Sequence, residues 1–140
     1  MFILDTNILS ALMAPEQAPQ VTAWVSDQPR STLFTTAISH AEILAGIAVM
    51  PDGRKRDALR AAAGSMFEEE FQGRVLPFDS HAAEAYAEIL AARRQAGRPI
   101  GPLDNLIAAI AASRKAAVVT RDLRGFEGCG LTLVNPWEAA

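Results

Sequence analysis

Short runs of apolar residues alternate along this chain with longer segments in which apolar residues recur every three or four positions. The short runs predict β-strands at residues 2–4, 32–36, 75–76, 117–120 and 131–134. The longer segments predict helices that begin near residues 6, 20, 39, 54, 80 and 102, several of them ended by proline or glycine. Strands that alternate with helices and are apolar on both faces indicate a mostly parallel sheet of four to five strands with helices on both sides, an α/β fold.

Composition limits the class of protein. With 140 residues, half of them hydrophobic, the chain is the size of one domain, and we expect a single domain over residues 1–140. Cys129 is the only cysteine, which excludes an internal disulfide and fits a reducing compartment. No apolar stretch approaches the roughly 20 residues of a membrane span, so we expect a cytoplasmic protein without a membrane partner.

Four acidic residues lie far apart in the chain but at comparable places in the predicted fold: Asp5, Glu42, Asp104 and Asp122. In open parallel sheets the ligand site forms at the carboxyl ends of the strands, where the strand order reverses. Asp5 follows a strand directly and Asp122 stands two residues after another, and the other two acids stand in the first turns of helices that start on the same edge. Crowded carboxylates raise one another's pKa unless a cation offsets their charge, so such a cluster implies a divalent metal ion.

Each acid also has an ordinary structural explanation. Asp5 and Asp122 can be turn or capping residues after a strand. Glu42 stands three residues after Ser39, the spacing of a capping box, and Asp104 sits where the dipole of a helix stabilises any acid. Only the joint pattern therefore favours a functional site.

Other polar residues have weaker claims. Asp79 precedes Ser80 and a helical pattern, which favours a capping role over metal binding. Two short basic groups are predicted on helices and are typical either of solvated faces or of contacts to a phosphate backbone: Arg54, Lys55, Arg56 and Arg60, and Arg93, Arg94 and Arg98. The formal net charge of −3 argues against a broadly basic surface, but it does not exclude RNA or DNA as substrate.

Several motifs together resemble a known family. They are Ile3-Leu4-Asp5-Thr6-Asn7, Ser39-His40-Ala41-Glu42-Ile43, Asp104-Asn105-Leu106-Ile107-Ala108-Ala109 and Thr120-Arg121-Asp122. Their order and spacing resemble the PIN domain, and the whole chain is similar to the VapC and FitB-type toxins of bacterial toxin–antitoxin pairs. The chain departs from many FitB-like sequences in having aspartate rather than asparagine at position 122, and Gly125 where an acid often stands.

The resemblance implies a PIN-like three-layer sandwich and a metal-dependent endoribonuclease, the toxin of a type II toxin–antitoxin pair, with Mg²⁺ as cofactor and Mn²⁺ as a substitute. The implied catalytic acids are Asp5, Glu42, Asp104 and Asp122. Among them, Asp5 and Asp104 are the expected main metal ligands, and Glu42 and Asp122 form a second or water-mediated site. Asn7 and Thr120 are the expected polar helpers.

The resemblance also implies three partners: an RNA substrate, a small cognate antitoxin that blocks the site, and a second copy of the chain in a homodimer or higher toxin–antitoxin assembly. Two alternatives remain at this point. One is a catalytically inactive PIN-like module that binds RNA or a protein. The other is a haloacid dehalogenase-like phosphatase, which would need a second acid two residues after Asp5, where this chain has Asn7.

Overall fold

Five short strands and seven α-helices alternate in the structure, a computed structural model that describes residues 1–138. The strands are β1 Phe2–Leu4, β2 Leu33–Thr36, β3 Val75–Leu76, β4 Ala117–Val119 and β5 Leu133–Val134. The helices are α1 Thr6–Leu12, α2 Pro19–Ser26, α3 Ala37–Ala48, α4 Arg54–Ser65, α5 Ser80–Gln95, α6 Pro102–Ser113 and α7 Leu123–Phe126. No helix among these residues is long and apolar enough to cross a membrane.

The strands form one sheet in the order β3-β2-β1-β4-β5, and every neighbouring pair is parallel. In the centre, Ile3 of β1 lies beside Phe34 of β2 and Val118 of β4. The chain runs outward from β1 in one direction to β3 and in the other to β5, so the strand order reverses between β1 and β4. Ligand sites of open α/β sheets form beside such a reversal.

Successive residues of the central strands face opposite layers, because side chains alternate along a strand. Ile3 and Val118 pack with α5 and α6, through residues such as Ile107, while Leu4 and Val119 pack against the other layer. That second layer includes buried residues of α1, α2 and α3, among them Ile8, Leu9, Val21, Ile43 and Ile47. Helices therefore cover both faces, which confirms the predicted α/β sandwich.

Several element bounds differ from those predicted. The last strand begins at Leu133 rather than at residue 131, and β2 begins one residue late, after a 3₁₀ turn over Arg30–Thr32. The helix predicted to begin near residue 54 has a helical apolar pattern as far as Gln72, but it leaves α-geometry after Ser65 and continues as a π-helical turn, Met66–Glu70. The predicted loop after β4 contains the short helix α7.

Phe126, the last residue of α7, fixes that short helix to the core. Its side chain is 1% exposed and belongs to the buried cluster around α5 and α6. We therefore expect Phe126→Ala to lower the free energy of unfolding by about 3–5 kcal/mol, since it removes a fully buried ring and leaves a cavity. Urea denaturation would measure the loss. Val49→Ala is the control: Val49 is 83% exposed, and its truncation should change stability by less than about 0.5 kcal/mol. Equal losses in the two variants would contradict this assignment of the core.

Candidate active site

Asp5 ends the central strand β1 and is the most buried of the four acids, with 6% of its surface exposed. It is the N-cap of α1, where its Oδ1 accepts a hydrogen bond of 2.8 Å from the Thr6 amide. Its Oδ2 accepts one of 2.8 Å from the Thr120 hydroxyl. Burial raises the pKa of Asp5, the bonds from Thr120 and Thr6 lower it, and the charges of Glu42 and Asp122 raise it again, so that the net shift is upward.

Asn7 and Thr120, the two expected polar helpers, connect the ends of β1 and β4. The Asn7 amide donates to Asp5 Oδ2 and to Thr120 Oγ1, both at 3.3 Å. Its carbonyl oxygen accepts from the backbone N–H of Arg121 at 3.2 Å, and Thr120 Oγ1 accepts from the N–H of Asp122 at 3.0 Å. Both side chains therefore hold the carboxyl ends of the two central strands in one arrangement.

Glu42 reaches the same place from α3. Its Oε1 accepts a hydrogen bond of 2.9 Å from the hydroxyl of Thr6, which also contacts the Ser39 hydroxyl at 2.9 Å. The capping box suggested by the sequence is absent, because α3 begins at Ala37 and its N-cap is Thr36, whose hydroxyl accepts from the Ser39 N–H. Glu42 therefore turns toward α1 rather than back to its own helix start.

Asp104 is the third residue of α6 and is half-buried. Its pKa is raised from 3.8 to about 6, first by burial and then by the negative charges of Asp5, Asp122 and Glu42. The Arg93 guanidinium acts in the opposite direction but is the weakest of these influences. A carboxyl group that senses the other three acids in this way lies within electrostatic reach of all of them.

Asp122 is exposed and caps α7, where its Oδ1 accepts a hydrogen bond of 3.1 Å from the Gly125 N–H. Its second oxygen, Oδ2, and Oδ2 of Asp104 both lie close to the point where a β-carbon at Gly125 would stand. The capping role suggested by the sequence is thus confirmed, and the same carboxylate also faces the other acids.

One cleft of about 350 Å³ brings the four acids together. Its walls are formed by Asp5, Thr6, Asn7, Ser10, Glu42, Asp104 and Asp122. The oxygen-rich lining suits a hard divalent cation, and part of the rise in the pKa of Asp5 and of Asp104 comes from neighbouring negative charge that a cation would offset. Within residues 1–138 no three His, Cys, Asp or Glu side chains already form a group that encloses an ion.

Three residues of the site are missing from the sequence-based prediction. Thr6 and Ser10 line the cleft, and the buried Ser39 contacts the Thr6 hydroxyl. Helical periodicity contains the signal for two of them, since Thr6 and Ser10 stand four residues apart and share one face of α1. Ser39 carries no comparable signal, because the contact depends on how α3 crosses α1.

Arg93 does not lie on a solvated helix face, as its sequence context suggests, but is buried with 5% exposure. Its guanidinium donates to the carbonyl oxygens of Arg98, Gly125 and Glu127. Arg98, in contrast, is half-exposed and pairs with Glu127 at 2.7 Å. The two arginines thus fasten the segment that follows α7 to the end of α5.

Asp79 lies outside the cleft, as predicted. It is the N-cap of α5, with its Oδ1 accepting a hydrogen bond of 3.0 Å from the Ala82 N–H, and this bond is the main reason that its pKa is lowered. Position 7, where a haloacid dehalogenase-like phosphatase would carry an acid, holds an amide that is fully engaged in linking β1 to β4.

Comparison with known proteins places this geometry in a family. The family model described as "PIN domain" matches residues 2–128. The plasmid stability protein StbB of Pseudomonas syringae pv. tomato is 42% identical, over 99% of this chain and 100% of its own length. A protein named VapC ribonuclease Y4jK, from Sinorhizobium fredii, is 40% identical over 100% of both chains. Toxin FitB of Neisseria gonorrhoeae is 33% identical over 98% of this chain and 99% of its own.

A solved structure of FitAB bound to a DNA fragment contains a chain with the same fold. The TM-score is 0.93 at 32% sequence identity, and the match covers 100% of this chain and 98% of that one. The resemblance noted in the sequence motifs is confirmed over nearly the whole length. The chain belongs to the PIN domain family.

Proposed function

We propose that this protein is a metal-dependent endoribonuclease and the toxin of a type II toxin–antitoxin pair. The observation that carries the proposal is the single cleft in which Asp5, Glu42, Asp104 and Asp122 meet at the reversal point of the sheet. Similarity over full length to a protein named as a VapC ribonuclease and to one named as a toxin supports the activity and the biological role.

The acids bind Mg²⁺, or Mn²⁺ in its place, through Asp5 and Asp104 as main ligands and Glu42 and Asp122 as a second or water-mediated site. Oxygen donors and room for several waters suit Mg²⁺, which dehydrates reluctantly. When bound, the ion polarises the scissile phosphate and lowers the pKa of the attacking water. The rise of the pKa of Asp104 to about 6 supports the assignment, since burial and then the repulsion of the other acids cause it, and a nearby cation would offset that repulsion.

The protein's own residues orient this chemistry. Asp5 is held by Thr6 and Thr120, so its carboxylate is fixed before substrate arrives. Glu42, fixed through Thr6, is placed to orient a water in the cleft. Water attacks the phosphorus and the bond to the 3′ oxygen breaks, so the products carry a 5′-phosphate and a 3′-hydroxyl.

Arg121, the residue before Asp122, carries an exposed positive charge. It lies two residues after the end of β4, its side chain is exposed, and its guanidinium carbon lies 4.9 Å from the ring centroid of Trp137. Stacking on an indole keeps a guanidinium ordered while leaving its N–H groups free for an acceptor. We assign to it a contact with the phosphate backbone of single-stranded RNA next to the scissile bond.

An apolar groove beside the acids is the proposed contact for the antitoxin. It is lined by Thr6, Ser10, Met13, Glu42, Ile43, Gly46, Ile47, Met50 and Leu59, and so shares three residues with the acidic cleft. The groove adjoins the acidic cleft. A peptide segment whose apolar face packs in the groove would therefore extend to the four acids and block access of RNA to them. The solved structure of FitAB supports a protein partner, and to this we add a second copy of the toxin in a homodimer as part of the proposal.

Substitution of Asp104 tests the proposed metal site. Asp104→Asn removes a proposed metal ligand with little change in shape, and we expect kcat for a single-stranded RNA substrate to fall by more than about 100-fold, since even indirect ligand contacts cost 10- to 100-fold. Thermal unfolding should stay within a few degrees of the unaltered protein. Cleavage of a 5′-labelled oligonucleotide with analysis of the product ends would measure both rate and chemistry.

Asp79→Asn is the matched control, because Asp79 caps α5 outside the cleft and asparagine caps equally well. Its rate should equal that of the unaltered protein. Cleavage that persists unchanged in EDTA would refute the metal dependence. Tight RNA binding without cleavage, unaffected by Asp104→Asn, would instead favour a catalytically inactive RNA-binding module.

The affinity for the metal ion should depend on pH. The pKa of Asp104 lies at about 6, so its carboxyl is protonated below that pH and must lose the proton before it can bind a cation. Mn²⁺ affinity should therefore be weaker at pH 5 than at pH 7.5, with net proton release on binding that declines as pH rises through 6. Isothermal titration calorimetry in two buffers of different ionisation enthalpy measures both quantities. Affinity that is constant over this range would contradict the role of Asp104.

The same shift has a consequence for the metal-free protein. In the folded protein the pKa of Asp104 is raised above its ordinary value of 3.8. The folded protein therefore binds more protons than the unfolded chain between pH 4 and 6. The contribution of Asp104 to stability is therefore present below this interval and is lost as pH rises through it. Asp104→Asn should reduce the fall in urea midpoint between pH 4.5 and 7 without metal. An unchanged pH slope would contradict the prediction.

A further inference from the structure

Four of the chain's 13 lysine and arginine residues lie in the first two turns of α4. They are Arg54, Lys55, Arg56 and Arg60, and we call them the α4 basic surface. Arg56 pairs with Asp52, but the other three are exposed, and none of the three forms an ion pair with any of residues 1–138. Unpaired positive charge is thus concentrated on one helix of a chain whose formal net charge is −3.

The second basic group of the sequence offers less free charge. Arg93 is buried against carbonyl oxygens, and Arg98 pairs with Glu127. Only Arg94 of that group is exposed without an ion pair in the described part of the chain. Of the two groups that the sequence leaves open between a solvated face and a phosphate contact, the structure therefore favours the α4 basic surface for the contact.

The stability of α4 does not explain its cations. Arg54, Lys55 and Arg56 occupy the first turn, where the positive end of the helix dipole disfavours positive side chains, and no side chain caps the helix. Asp57 in the same turn and the pair between Arg56 and Asp52 offset part of that cost. A helix start that only had to be solvated would favour acids at these positions, so the cations indicate a negatively charged partner.

The position of α4 links these cations to the proposed active site. Leu59 of α4 lines the apolar groove, together with Thr6, Ser10 and Glu42. The last three residues also line the acidic cleft, so the groove and the cleft adjoin. The helix therefore borders a path that leads away from the four acids.

Two of the exposed cations stand next to Leu59. Lys55 precedes it by four residues, the spacing at which side chains are neighbours on one face of a helix, and Arg60 is the next residue in the chain. Both side chains are exposed to solvent. A polyanion that left the cleft along the groove would therefore pass within reach of these charges.

We propose that the α4 basic surface binds the phosphate backbone of single-stranded RNA as the strand leaves the acidic cleft, with Lys55 and Arg60 as the main contacts. The inference rests on the proposed function for the identity of the strand. Four carboxylates repel a polyanion, so the attraction that brings RNA to the cleft comes from cations around it. Lys55 and Arg60 supply that attraction on the side of the groove.

This surface contributes affinity rather than the choice of cleavage site, because contacts to phosphates carry no direct sequence information. It also makes the strand and the antitoxin segment proposed for the apolar groove mutually exclusive, since both would lie along the same path. An antitoxin in the groove would then block RNA binding as well as access to the acids.

The test compares two pairs of exposed cations. Lys55→Gln with Arg60→Gln removes two charges from α4, and Arg114→Gln with Lys115→Gln removes two beyond the end of α6 that is opposite to Asp104. Fluorescence anisotropy of a labelled single-stranded RNA in EDTA measures binding at several salt concentrations. Since each phosphate contact adds about 0.7 to the slope of log Kd against log salt, the α4 pair should lower that slope by about 1.4 and the control pair by less than about 0.3.

Two further measurements separate binding from a structural role. The midpoint of thermal unfolding should not fall in the α4 pair, because neither side chain forms an ion pair among residues 1–138 and the helix dipole disfavours Lys55. In cleavage assays KM should rise while kcat stays within about 2-fold, as expected when a contact made equally before and in the transition state is removed. A fall in kcat with unchanged KM would contradict a role in binding the strand.

The remaining outcomes decide separately on the inference and on the proposed function. An unchanged salt slope in the α4 pair, or equal changes in both pairs, overturns the inference, and continued cleavage of RNA then leaves the proposed function standing. Conversely, an unaltered protein that binds RNA but cuts none with Mg²⁺ or Mn²⁺ refutes the proposed function. In that case a slope that falls only in the α4 pair still supports the inference.

Discussion

The structure of the site depends on one buried carboxylate at the end of the central strand. Burying Asp5 costs free energy, because water no longer solvates its charge, and hydrogen bonds from Thr6, Asn7 and Thr120 offset only part of that cost. The raised pKa of Asp5 records the remainder. The same bonds join β1, β4 and α1 across the point where the strand order reverses, so the charge is held by the groups that hold the fold together. A pKa that burial has shifted in this way is typical of residues in functional sites.

Much of the fold follows from the apolar pattern alone. The bounds of β1 and β3 agree with the prediction, because Asp5 ends the apolar run of β1, and Arg74 and Pro77 stand on either side of that of β3. The positions of Asp5 and Asp122 also follow, since a residue after a parallel strand must lie at the carboxyl edge of the sheet. The site could be predicted to this extent because topology, rather than side-chain packing, brings these residues together.

The parts that could not be predicted depend on contacts between distant segments. A capping box at Ser39 and Glu42 is sound local chemistry, yet Thr36 caps α3 instead, and Glu42 becomes available to Thr6 on another helix. Arg93 and Arg98 look alike in the sequence, but one is buried against carbonyl oxygens and the other is an exposed ion-pair partner. Local pattern carries no information on such differences, since they arise only once α5 and α7 meet.

The two outermost strands, β3 and β5, have a consequence for how molecules of this protein meet. Each contains only two residues, so the sheet offers a neighbouring chain very few free N–H and C=O groups on either side. Long unpaired edges are templates for sheet extension and aggregation, and short ones are poor templates. Backbone pairing between two copies is thereby disfavoured, and side-chain complementarity between helices is the alternative that the fold leaves for contact with another chain.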